Sequence, residues 1–159
     1  MGRTSVNQVF TQADWNKYNK YAAEIKGYLD VSGLPENTKT HIFNVLATRE
    51  QMRLATNRIA SEQNVLIDQM KEINKKYKVE PNDAKARKLA EEHRKLEVKV
   101  QALAEERAYF LGKYNSLASE AKKCIDQYNA AVTKNKIQTD PKKKIAPSYI
   151  KPVASKNRA

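Results

Sequence analysis

The sequence predicts an all-α fold: a long antiparallel coiled-coil helical hairpin, a short N-terminal helix completing a three-helix base, and an extended basic C-terminal arm. Three observations carry that prediction. Between Glu36 and Glu80 there is neither glycine nor proline, so no residue breaks a helix there. Seven apolar residues, Leu89, Leu96, Leu103, Phe110, Leu117, Cys124 and Ala131, recur at seven-residue intervals, the period of a seam that meets another helix. Residues 121–159 hold ten basic and two acidic groups, so +8 of the formal net charge of +12 lies in the last quarter. A nearly balanced body with such a tail reads as an interaction arm.

Composition narrows the class further. The chain has 159 residues, 40 % hydrophobic and 30 % charged, which suits one domain and is too apolar for disorder throughout. Four glycines and five prolines exclude collagen-like, sandwich-like and low-complexity architectures. A single cysteine, Cys124, excludes a disulfide framework and a thiolate-rich metal site. Met1–Trp15 lacks a basic segment followed by an apolar run, so no secretory leader is expected. Val6 stands where a myristoylation pattern requires Ser or Thr. Apolar runs stay far below the ~20 residues that span a bilayer. The expectation is a soluble protein of the cytoplasm, or of the interior of a virion or other large particle.

Residues 1–10 read as an N-terminal extension. Helical signal begins at Thr11, with Asp14 in the first turn, and Trp15, Tyr18, Ala22, Ile25 and Leu29 form one stripe of a helix over 11–30. Gly33 and Pro35 then break the pattern. A second helix, over 36–78, takes Ile42, Arg49, Thr56, Gln63, Met70 and Tyr77 at a positions and Val45, Met52, Ile59, Leu66 and Ile73 at d. Pro81, with Asn82 or Asp83 as a cap, ends it. The heptad register also resets there, which marks a real turn. A third helix, over 84–133, carries the seven-residue column above with Ala86, His93, Val100, Arg107, Tyr114, Ala121 and Tyr128 at a. So short a linker favours antiparallel neighbours.

Ten of the twelve aromatic residues fall in 1–43 or 109–128, which such a hairpin would bring together at its open end. Residues 42–55 and 107–121 meet there, and the short first helix can dock on them; this base is therefore expected to be the stable unit, and the stem to fray or to recruit a partner. Residues 134–159, with Pro141, Pro147 and Pro152, read as extended arm.

Chemistry is sparse. His93 and Cys124 sit on one helix roughly 45 Å apart, too far to share a ligand sphere. No Ser/His/Asp, Cys/His, phosphate-loop or dinucleotide motif is present. The expectation is no catalytic residue, no metal site, no cofactor and no small-molecule substrate, with Cys124 as a small core residue and His93 in the seam. Arg49, Thr56, Gln63, His93 and Arg107 are read as partly solvated residues at the edge of the seam, their stems covering apolar neighbours. Selection of register or partner is the alternative.

Two regions are candidates for contact. The arm carries Lys142, Lys143, Lys144, Lys151, Lys156 and Arg158, with Ile145, Tyr149 and Ile150 among them. Cations steer such a segment, and apolar anchors give it something to bury. The hairpin tip presents Lys75, Lys76, Lys78, Lys85, Arg87 and Lys88. The expected function is a non-enzymatic structural or adaptor protein within a larger assembly, a virion among the candidates, whose partners are protein subunits, including copies of itself. The alternative is a nucleic-acid-binding accessory protein whose arm and tip contact phosphates. No membrane partner is expected.

Overall fold

A computed structural model describes residues 2–134 and 150–153. Among these residues there are five helices and no strand: α1 (Val6–Val9), α2 (Gln12–Asp30), α3 (Glu36–Val79), α4 (Asp83–Ser116) and α5 (Ala118–Lys134). The long helices pack against one another. At 1.5 Å per residue, α3 alone is roughly 66 Å long.

Local chemistry sets most helix ends. Ser5 Oγ accepts from the Asn7 N–H at 3.2 Å, and Gln8 Oε1 accepts from the Ser5 N–H at 3.1 Å. Thr11 and Asp14 make the same reciprocal arrangement for α2, with bonds of 3.3 and 3.0 Å. Each satisfies backbone donors that the first turn leaves open. After α2, the buried Ser32 hydroxyl donates to the Leu29 carbonyl at 2.6 Å and accepts from the Leu34 N–H at 3.2 Å. Gly33 then turns with φ 77°, a conformation that a side chain would strain. Pro35 precedes α3. Asn82 caps α4, its Oδ1 accepting from the Lys85 N–H at 3.0 Å.

Contacts between α3 and α4 pair rising residue numbers with falling ones. Arg49 meets Tyr114, Ile59 clusters with Phe110, Gln63 meets Val100, and Ile73 lines one cavity with Leu89. The core is deepest where α2, α3 and α5 meet. Ile25, Leu29, Ile42, Leu46, Ala121, Cys124 and Tyr128 are buried together there. A middle cluster holds Val9, Ala55, Ile59 and Phe110, and a third holds Ile67, Met70 and Val100. Beyond Met70 on α3 and before Val100 on α4, no described residue is buried.

Four sequence expectations are corrected. Residues 1–10 are more than an extension: Val9 enters the middle cluster, with Val6 and Phe10 packed against it. Arg3 also bridges α3 and α4, at 2.6 Å to Glu62 and 2.7 Å to Glu106. These long-range partners add to the two-helix seam along part of the stem. The third helix does not run unbroken to Thr133. At Leu117 it tightens, and the Leu117 N–H reaches back to the Tyr114 carbonyl at 3.3 Å. Arg49 Nε donates to that same carbonyl at 3.1 Å, and a side chain entering the ladder is a recognised cause of such a break.

Thr56 and Gln63 are not solvated edge residues; they are 0 % and 4 % exposed. Thr56 satisfies its hydroxyl on the Met52 carbonyl at 2.7 Å. Gln63 Nε2 donates to the Val100 carbonyl at 3.3 Å, while its Oε1 finds no partner among the described residues. Finally, Tyr77 at the last a position is 48 % exposed, because the two helices enclose little at the turn.

Candidate functional site

The most developed surface lies along the stem. Backbone polar groups of an extended segment need partners when they leave water, and Lys151 finds two on the helices. Its N–H donates to Asn57 Oδ1 at 2.8 Å on α3, and its carbonyl accepts from Arg107 Nη2 at 3.1 Å on α4. Pro152 has no N–H to satisfy. Val153 then packs against the Ile67, Met70 and Val100 cluster beside Leu66 and Leu96. Ile150 is half-buried, and the exposed Lys151 shares a cavity of about 100 Å³ with Asp14, Leu54, Asn57 and Arg58. A short piece of the predicted arm thus lies on the chain's own stem.

Of the predicted arm residues, only Ile150 and Lys151 fall in the described segment. Lys142, Lys143, Lys144, Ile145, Tyr149, Lys156 and Arg158 lie outside the described residues. At the turn between α3 and α4, Lys75, Lys76, Lys78, Lys85, Arg87 and Lys88 are all exposed. Lys75 approaches Glu72 only at 4.0 Å. These cations flank the turn that joins α3 to α4. Exposed apolar side chains accompany them: Val65, Tyr77, Val79 and Val98 are 57, 48, 80 and 66 % exposed. Between the helices near this turn, Ile73, Tyr77, Leu89 and His93 line a cavity of about 150 Å³.

Charge pairs anchor the segments that flank the stem. Asp14 is 3 % exposed and takes Arg58 at 2.8 Å. Burial pushes its carboxyl upward, but bonds from Arg58 and Thr11 more than offset that and hold it below the usual carboxylate range. Glu106 behaves alike: burial opposes ionisation, and Arg3, through its side chain and backbone N–H, brings the carboxyl below its ordinary value. Hydrogen bonds to Glu62 and Glu106 in turn raise the Arg3 guanidinium. In the base, burial and then the Glu50 charge push the Tyr21 hydroxyl upward. Glu50 is itself buried and held by Arg53 at 2.6 Å.

One group of potential metal ligands occurs among the described residues. His41, Glu120 and Cys124 bring one ligand atom each to within 4.8 Å of the others. His41 Nε2 lies 2.8 Å from Glu120 Oε1, and burial, with Glu120 second, pushes the Cys124 thiol up. The pair weighed from sequence, His93 with Cys124, does not meet; His93 Nδ1 instead contacts Glu97 at 3.0 Å.

Sequence reasoning missed Asn57 as an arm contact and Arg3, Glu62 and Glu106 as a bridge. The Ser5-to-Gln8 capping pair was a local signal that residues 1–10 are structured. Nothing local marks Glu106 as the partner of a residue 103 positions away. Fold and surfaces together define an all-helical protein of long packed helices, none of which, among the described residues, is long and apolar enough to cross a membrane. No protein-family model matches the chain, and neither does any curated protein or solved structure.

Proposed function

We propose that this chain is a non-enzymatic structural or adaptor component of a larger assembly. In this reading α3 and α4 form an antiparallel coiled-coil hairpin on a three-helix base, its tip half offers a helical surface, and the basic arm docks on neighbouring protein subunits. The observation that carries it is the Lys151 segment. An extended stretch that seats its N–H on Asn57, its carbonyl on Arg107 and Val153 on an apolar cluster uses the contacts of protein docking. Exposed Val65, Tyr77, Val79 and Val98 add apolar area for a partner on the tip half. The interior of a virion or of another large particle, or the cytoplasm, is the compartment this role implies.

A second reading rests on the exposed cations of the tip acting together with the lysines of the arm. Lys75, Lys76, Lys78, Lys85, Arg87 and Lys88 are solvent-facing and suited to phosphates, which favours a nucleic-acid-binding accessory role. Its affinity would fall with salt at a log–log slope of roughly −0.9 per phosphate contact on duplex DNA.

One comparison separates them. Substituting Ile145, Tyr149 and Ile150 by Ser removes the arm's anchors, and substituting Lys142, Lys143 and Lys144 by Gln removes its charge. Sedimentation and crosslinking of the full chain in its native assembly then read both variants. The adaptor reading expects the first set to dissolve the assembly contacts and the second to leave them. A strictly monomeric protein whose crosslinks survive deletion of residues 135–159 would overturn it. Steep, salt-dependent duplex binding lost only in the lysine set would establish the second reading in its place.

A further inference from the structure

We infer that His41, Glu120 and Cys124 form a binding site for a divalent transition metal of the zinc type, clamping α3 to α5 in the base. This goes beyond the assembly role and does not depend on it.

The argument starts from the backbone. Glu120 and Cys124 are four residues apart on α5, so both side chains leave one face of the helix. His41 crosses from α3, one position before the fully buried Ile42. The three donor atoms lie within 4.8 Å of one another. Around zinc, ligand distances of about 2.0–2.3 Å put tetrahedral neighbours roughly 3.3–3.8 Å apart, so closing the site takes shifts of about 1 Å. The side chains that must move are free to do so. His41 and Glu120 are 55 % and 42 % exposed, while Cys124, 1 % exposed, is fixed by the core.

The donor chemistry selects the ion. A thiolate, an imidazole nitrogen and a carboxylate suit zinc and its neighbours, whereas magnesium and calcium require oxygen shells. One thiolate and one carboxylate balance the charge of a divalent ion. Binding replaces the thiol proton, which passes to solvent, and breaks the His41–Glu120 hydrogen bond in favour of two metal bonds. Three ligands leave a fourth position on the exposed side for water. A clamp here also has a mechanical consequence. Because the helix tightens at Leu117, α5 starts a new segment there, and a metal bridge would add a direct tie from α5 to α3.

The test uses the full reduced chain and Co²⁺ as probe. The expected result is saturable one-to-one binding with a sulfur-to-cobalt charge-transfer band in the near ultraviolet, displaced by Zn²⁺. Cys124→Ser should lose that band. The exposed His41→Gln, whose fold is checked by circular dichroism, should weaken binding at least about tenfold. Zn²⁺ should raise the melting temperature of the wild type and not that of His41→Gln. Absence of the sulfur band, or binding by both variants equal to wild type, would overturn the site.

Discussion

The Arg49 guanidinium lies 3.7 Å from the centroid of the Tyr114 ring, and its Nε donates to the Tyr114 carbonyl at 3.1 Å. One side chain on α3 thus holds both the ring and the backbone of one residue on α4, where the helix is about to tighten. Arg49→Met should lower stability by about 1–3 kcal/mol, from the lost cation–π contact and the lost bond to the carbonyl. Arg49→Lys, which keeps the charge without the planar fork, should recover less than half of that. Urea unfolding measures both; a lysine variant as stable as wild type would show that charge alone suffices.

Among the described residues, Gln63 leaves a buried acceptor without a partner, and its bond to the Val100 carbonyl, at 3.3 Å, is long. Gln63→Met has similar volume and no orphan atom, so it should stabilise the chain by about 1 kcal/mol. A polar seam residue of this kind also restricts helix pairing. Sedimentation equilibrium of the variant should therefore show higher oligomers that the wild type lacks. A destabilised variant would mean that the Val100 bond outweighs the orphan.

Asp14 and Glu106 both titrate below their ordinary values, so the unfolded chain binds their protons more readily than the folded one. Their contribution is complete only above their ordinary values of 3.8 and 4.5, from about pH 5.5 upward, and is lost as pH falls through the lower, folded values. Unfolding followed by fluorescence of Trp15, the single tryptophan and the residue next to Asp14, should show stability dropping as pH falls below about 5.5. The double variant Asp14→Asn, Glu106→Gln should be less stable at pH 6 and flatter with pH. An unchanged slope in that variant would place the acid sensitivity elsewhere.

Arg3 is 28 % exposed and Glu106 9 %, so their pair is only partly screened by water. Arg3→Ala should cost about 1–2 kcal/mol, less than the loss of a fully buried pair. It should also speed amide exchange at Val6–Val9, because the bridge ties that turn to the stem. Unaltered exchange there would show that Val9 and Phe10 hold the segment by packing alone.

Thr11 both caps α2 and orients Asp14 toward Arg58, which also reaches Thr11 Oγ1 at 3.4 Å. Thr11→Ala should cost about 1 kcal/mol and Thr11→Ser much less, because serine retains the accepting oxygen. Thermal unfolding monitored at 222 nm separates the two.

The helical class and the great length of the helices were legible in the sequence because both are local properties. Seven-residue spacing such as Leu96, Leu103, Phe110 repeats along the chain itself, and Gly33 and Pro81 interrupt it in place. The break at Leu117 was not legible, since Leu117 continues the apolar column and the group that disturbs its helix is Arg49, on another element. Burial of Thr56 and Gln63 was misjudged for a related reason. Their polarity is visible, but whether a neighbour and a bonding partner enclose them depends on α4. For the candidate sites, the i to i+4 pair of Glu120 and Cys124 could be read from the sequence; His41 could not be joined to it.

By itself, then, the sequence determined that this chain is built of long helices and that its excess positive charge sits at the C-terminal end, because periodicity, helix breakers and charge are written residue by residue. Only the tertiary structure decided that Arg3 bridges Glu62 and Glu106, that Lys151 rests on Asn57 and Arg107, and that the potential ligand atoms of His41, Glu120 and Cys124 lie within 4.8 Å of one another. Those outcomes depend on groups as far as 103 residues apart meeting at hydrogen-bonding distance, and packing, which acts through space, is what brings them there.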